Sequence, residues 1–129
     1  MENLNKKILI VDDDIFLLGI YAKNFSNEGL EVLTAHDGEE AWEILSGGNI
    51  PDVVFTGIVM PRMTGFELLA KMRTDPVLAK IPVVINSHHG RPEDEKMAKQ
   101  MAVNDFIIQT LTTPAETVER VMKVLSNGK

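Results

Sequence analysis

Apolar residues along this chain fall into five short blocks, separated by longer stretches in which they recur every three or four positions. The blocks are Ile8 to Val11, Glu31 to Ala35, Val53 to Thr56, Val83 to Asn86 and Phe106 to Ile108. Three are nearly continuous in Val, Ile and Leu, the pattern of strands covered on both faces of a parallel sheet. The stretches between them predict five helices. Leu18, Ala22 and Phe25 mark one face of the first, and Phe66, Leu69 and Ala70 the apolar side of the third. Asp37, three residues ahead of Glu40, predicts an N-cap with a charge-favourable first turn for the second helix. Pro92 stands where the first residue of the fourth helix belongs, with Met97 and Met101 stacked one turn apart. Thr113-Pro114-Ala115-Glu116 is a capping-box pattern, followed at helical spacing by Val118, Val121, Met122 and Leu125. Alternating strands and helices with short connections imply a parallel α/β sheet with right-handed crossovers.

Length and composition narrow the setting. With 129 residues, 44% hydrophobic and 25% charged, the chain has the makings of one folded domain spanning 1–129. Ser126 to Lys129 reads as its end, with no output module expected. A net charge of −6 disfavours nonspecific binding to nucleic acid or an anionic membrane, which clustered Lys and Arg would mediate. The absence of cysteine excludes disulfides and thiol chemistry. Met1 to Lys7 runs directly into the first block without a signal-like segment, and no stretch approaches the ~20 apolar residues of a membrane span. A cytoplasmic protein is expected.

Ligands of such sheets gather outside the carboxyl ends of the strands. The residues there are Asp12 and Asp13 after the first strand, Gly57 after the third, Ser87 after the fourth and Gln109 after the fifth. Ile8 to Asp14, taken with the segment from Pro51 through Met60-Pro61 to Gly65, closely resembles the receiver domain of two-component response regulators, a mainly bacterial family. The resemblance covers nearly the whole chain, and five strand-end positions in register are more specific than any single short motif. It implies a flavodoxin-like, doubly wound α/β sandwich of three layers, its five parallel strands ordered 2-1-3-4-5 and joined by five helices. It also implies a site of two acidic residues, an acceptor Asp, a Ser or Thr, and a Lys. In such a site the acceptor carboxylate attacks a phosphoryl donor while Mg²⁺ and the lysine neutralise the developing charge. The hydroxyl then moves inward to the phosphoryl group, and an aromatic on the fifth strand rotates with it; Phe106 holds that position without a tyrosine hydroxyl, and reads either as buried core or as part of a binding surface.

This chain departs from that scheme at two points. Gly57 stands at the acceptor position and has no side chain to phosphorylate, and Gln109 stands where the lysine belongs. Their coupled loss keeps the local charge balanced and favours natural divergence over a deliberate block. Thr110 replaces the proline expected next, which disfavours a cis bond there, since a non-proline cis peptide costs about 2.5–4 kcal/mol. The loop from Gln109 to Thr113 is accordingly expected to depart from the family's shape. Asp12 and Asp13 read as vestigial Mg²⁺ ligands, one of them capping the first helix; no cofactor is expected, and any Mg²⁺ binding is weakened. Ser87 is expected to bond backbone or water. His88 and His89 read as an exposed loop, with His36 remote from them. Thr56 points away from the acceptor position and Asp52 lies at the wrong end of its strand. Met60, Met63, Met72, Met97, Met101 and Met122 read as core filling.

The function implied is a signalling module of a phosphorelay system, not an enzyme, acting by contact with a histidine kinase, a downstream effector or a second copy. The surface expected to carry this contact is the fourth helix, fifth strand and fifth helix, with Lys96, Lys99, Gln100, Asn104 and Asp105 as exposed contact residues. Neither nucleic acid nor membrane is an expected partner. Two other classes stay open: a relay using Ser87 or His88 as an unconventional acceptor, and a sensor of a small anion or metabolite beside Gly57. A nucleotide or flavin site is disfavoured because no Gly-rich loop follows the first strand.

Overall fold

The computed structural model describes residues 6–127. Met1 to Asn5, Gly128 and Lys129 lie outside the described residues. Five strands alternate with five α-helices: β1 Lys7–Val11, α1 Ile15–Asn27, β2 Glu31–Ala35, α2 Gly38–Ser46, β3 Val53–Gly57, α3 Gly65–Arg73, β4 Val83–Ser87, α4 Pro92–Gln100, β5 Asp105–Ile108 and α5 Pro114–Asn127. Short 3₁₀ turns span Leu78–Lys80 and Gln109–Leu111. The strands form one parallel sheet in the order β2-β1-β3-β4-β5, as the resemblance implied. Four of the strands run one residue beyond the apolar blocks, since a terminal polar residue or glycine still pairs through its backbone. Ser126 and Asn127, expected as the domain end, continue α5.

Two apolar layers enclose the sheet, because alternate side chains of each buried strand point to opposite faces. Leu9, Val11, Val54, Val83 and Ile85 pack on one side with Leu45, Leu68, Leu69 and Met72. Ile8, Ile10, Val53, Phe55, Val84 and Ile107 pack on the other with Leu18, Tyr21, Phe25, Val118 and Val121. In that second layer the Tyr21 and Phe25 rings meet Phe55 edge-on, with centroids 5.1 and 6.0 Å apart. Such aromatic pairs add about 0.5–1.5 kcal/mol beyond their buried area.

The predicted caps form. Asp37 accepts from the Glu40 N–H at 2.8 Å, Pro92 opens α4, and Thr113 and Glu116 exchange both capping-box bonds at 2.9 and 3.1 Å. Three packing expectations need correction. The buried face of α3 is Leu68, Leu69 and Met72 with Phe66 at its margin, while Ala70 is exposed. Met97 is also exposed, because α4 turns only Ala98 fully inward. The other five methionines are buried or packed against the core. Asp105, expected as an exposed contact, is half-buried and held by Arg120 at 2.7 Å.

Candidate functional site

Register alone gathers the strand-end residues. Val11 lies opposite Thr56, Gly57 opposite Asn86, and Ser87 opposite Ile108. Asp12, Gly57, Ser87 and Gln109 therefore emerge at one edge of the sheet, around a cavity of about 450 Å³. Asp12, Asp13, Ile58 and Val59 line it with Gly57 on one side. Asn86 to His89, Arg91, Asp94 and Gln109 line it on the other.

Asp14, not Asp12 or Asp13, caps α1, accepting from the Phe16 and Leu17 amides at 3.0 and 3.1 Å. Asp12 supports that cap, since its Oδ1 accepts from the Asp14 N–H at 2.8 Å. Burial raises the Asp12 carboxyl above its ordinary range, against the lowering effect of that bond.

Gly57 is backbone in a regular strand end, not a glycine required by conformation. Its φ lies outside the left-handed region, and a Cβ built there meets Asp12 Oδ2 and the Val11 carbonyl at 3.8 Å and Met60 Sδ at 3.9 Å. These are ordinary contacts, so the position has room for a side chain. The turn after it is tighter. Gly65 donates its N–H to the Ile58 carbonyl at 2.9 Å, and a Cβ there would collide with the Gly57 carbonyl oxygen. Arg62, at φ +70, is pinned by Asp37 at 2.6 Å and Glu39 at 3.1 Å, fastening this turn to α2. Thr56 is buried and donates to the Gly57 carbonyl at 3.0 Å. Asp52 accepts from the Lys7 amide at the opposite end of the sheet.

Ser87 is buried, and its Oγ accepts from the Gly90 N–H at 2.8 Å, the backbone bond expected of it. His88 and His89 are exposed, edge-to-face at 5.0 Å, while His36 lies elsewhere, bonded to Glu40 at 3.0 Å. Gln109 begins the 3₁₀ turn, and no cis peptide bond occurs among the described residues. Phe106 is half-buried against the layer holding Ile85 and Met101. Lys96, Lys99, Gln100 and Asn104 are exposed, although Asn104 Oδ1 accepts from the Val83 amide at 3.0 Å.

A Mg²⁺ site of the phosphoryl-transfer kind is depleted here, with Asp12 and Asp13 left to hold such an ion. Such an ion is held by one or two carboxylates together with phosphate oxygens and water. Here Gly57 offers no side-chain oxygen, Asp12 Oδ1 is engaged by an amide, and no group of three or more metal-ligating side chains occurs among the described residues.

Sequence reasoning passed over three cavity residues: Asn86, Arg91 and Asp94. Asn86 is a polar interruption in an otherwise apolar strand, which could have signalled it. It is 6% exposed, with its Nδ2 donating to Tyr21 Oη at a long 3.4 Å and its Oδ1 lacking a hydrogen-bond partner among the described residues. Arg91 pairs with Asp94 at 3.3 Å and Glu93 at 3.6 Å.

Comparison with known proteins agrees with this geometry. A family model for the response regulator receiver domain matches residues 8–121. The chain is 33% identical over 123 residues to the chemotaxis protein CheY1 of Helicobacter pylori, covering 95% of this chain and 98% of that protein. It is 30% identical over 125 residues to the probable transcriptional regulator ycf27 of Cyanophora paradoxa, covering 97% of this chain but only 50% of the relative. Among solved structures, the receiver domain of the Francisella response regulator 1452 superposes with a TM-score of 0.85 at 26% identity, covering 97% of this chain and all of that one.

Proposed function

The chain belongs to the response regulator receiver domain family of two-component systems, and on that premise we propose that it is a degenerate receiver, unable to accept a phosphoryl group and signalling through protein–protein contact. The observation that carries this reading is Gly57. The backbone there has room for a side chain, so its lack of one withholds the nucleophile without any structural demand for glycine. Gln109 withholds the cation that would stabilise transfer, and among the described residues Asp12 and Asp13 belong to no group of three or more metal-ligating side chains. Ser87 gives its oxygen to Gly90, which argues against it as a substitute acceptor.

In this reading the output is a binding event in the cytoplasm. The partner is a histidine kinase, a downstream effector or a second copy, engaged by α4, β5 and α5. Lys96, Lys99 and Gln100 form its exposed polar part, while the Asp105–Arg120 pair fixes β5 to α5 beneath. Amide spectra recorded with acetyl phosphate and MgCl₂ test the chemical half of the proposal. Ser87 and Phe106 should keep their positions; movement of both, accompanied by a stable phosphoprotein, would contradict it. A Lys99→Glu substitution tests the surface and should weaken partner binding by about tenfold at low salt without loss of fold. Unchanged binding across charge reversals at Lys96 and Lys99 would reject that face.

A further inference from the structure

The cavity at the carboxyl end of the sheet is lined by three carboxylates, Asp12, Asp13 and Asp94, against one permanent cation, Arg91. Asp12 Oδ1 is engaged by Asp14, but Oδ2 faces the space beside Gly57. Asp13 lines the same cavity. Asn86 is more than nine-tenths buried in its wall and has an Oδ1 with no partner among the described residues. Apart from the two exposed histidines, the lining contains one cation, Arg91, and that is already shared between Asp94 and Glu93. Gln109 supplies an amide where a lysine would have answered the carboxylates.

The surroundings add a second observation. Phe16 is 87% exposed and Leu111 78%, and Ile15 and Val59 are similarly open. Val59 lines the cavity, while Ile15, Phe16 and Leu111 follow the lining residues Asp13 and Gln109 by two or three positions. Half of the large exposed apolar side chains thus flank this end of the sheet, whereas α4 contributes only Met97. An arginine anchor at an interface gains most where neighbouring contacts exclude water from it.

We propose that this cavity receives an arginine side chain of a partner protein, presented between apolar neighbours. The proposal rests on the reading of the site as non-phosphorylatable, since a working receiver would use the same carboxylates for metal and phosphoryl group. Arginine suits the site because its guanidinium carries five donors, no acceptor and a fixed charge, matching the carboxylates of Asp12 and Asp13 that line it. A single metal ion would find no group of three or more metal-ligating side chains among the described residues and leave most of the 450 Å³ unfilled.

The test is an amide-resolved NMR titration with a synthetic helical peptide bearing one arginine flanked by leucines four residues before and three after. A second peptide carries citrulline, which keeps the shape and removes the charge. The arginine peptide should shift Asp12, Asp13, Phe16, Gly57 and Gln109 and bind at least tenfold more tightly than the citrulline peptide. Asp13→Asn should weaken it by a similar factor, and Gln109→Lys should abolish it by supplying a resident cation, both with dispersed spectra confirming the fold. Equal binding of the two peptides, shifts confined to α4, β5 and α5, or a response to MgCl₂ alone would overturn the proposal. No phosphodonor is present, so the result is independent of the phosphorylation test. A phosphorylated native protein would sink the degenerate-receiver reading by mass, whatever the peptide does.

Discussion

The ends of β3 and β5 flank β4, and each lacks the charged side chain that a phosphorylating receiver would hold there, yet they are built differently. At β3, Gly65 lies against the Gly57 carbonyl, Thr56 bonds that same carbonyl, and Arg62 ties the turn to Asp37 on the neighbouring helix. At β5, Gln109 to Leu111 form an isolated 3₁₀ turn with no buried residue, held by a Thr112 hydroxyl bond to Ile108 at 2.8 Å and an amide bond to Gln109 at 3.3 Å. The first end is fixed by packing between elements and the second by local bonds. In both, the backbone persists where the chemical group does not, because the group was never what held the backbone. Scaffold and chemistry are separable in this fold.

That contrast can be broken most forcefully at the two glycines of the β3 end. Gly65→Ala should destabilise the protein by about 3 kcal/mol, because its Cβ would strike backbone that cannot yield. Gly57→Ala, eight residues earlier, should instead be neutral or stabilise by about 0.5 kcal/mol, since it meets only ordinary contacts and restricts the unfolded chain. Urea midpoints of the two variants measure the difference, and similar losses at both would show that Gly57 is structurally required.

A smaller effect is expected at Asp37, where cap and turn meet. Asp37→Ala should cost about 1–2 kcal/mol through loss of the α2 N-cap. The Glu40 amide, and after it the Arg62 guanidinium, hold the Asp37 carboxyl below its ordinary range. The folded state therefore binds this proton less readily than the unfolded state does. The contribution is complete above the unfolded value of about 4 and is lost as pH falls through the depressed folded value. Unfolding followed from pH 5 downward should show a shallower acid decline in Asp37→Asn than in the native protein. The smallest effect belongs to the β5 end: Gln109→Lys should change stability by less than about 0.5 kcal/mol, because Gln109 is half-buried and holds the turn through its backbone carbonyl, which the substitution keeps. A larger loss there would mean that the 3₁₀ turn depends on the amide.

Much of this was legible in the sequence because the signals were periodic or positional. Buried strands announce themselves as Val, Ile and Leu blocks, Asp37 and Thr113 mark helix starts with side chains that do the capping, and Pro92 marks one with a backbone preset for the first turn. Once the strand ends were known, the site residues followed from register. What escaped depended on three-dimensional direction. Three consecutive aspartates gave no sign that Asp14 would take the cap and leave Asp12 as its support. Ala70 and Met97 are apolar at plausible spacing, but α3 buries Leu68, Leu69 and Met72 and α4 only Ala98, which leaves both on the outer faces. The Asp105–Arg120 pair joins residues fifteen apart on different elements, and Asn86, though a polar interruption in its strand, is tied to the cavity only by the fold.

The most direct measurement of the central claim is intact mass after incubation with acetyl phosphate and Mg²⁺, comparing the native protein with the double variant Gly57→Asp, Gln109→Lys. The native protein should gain no phosphoryl group and the double variant should gain one, because a Cβ at Gly57 meets only ordinary contacts and Gln109 opens a turn with no buried residue. A phosphorylated native protein would contradict the account, as would a folded double variant that stays unmodified.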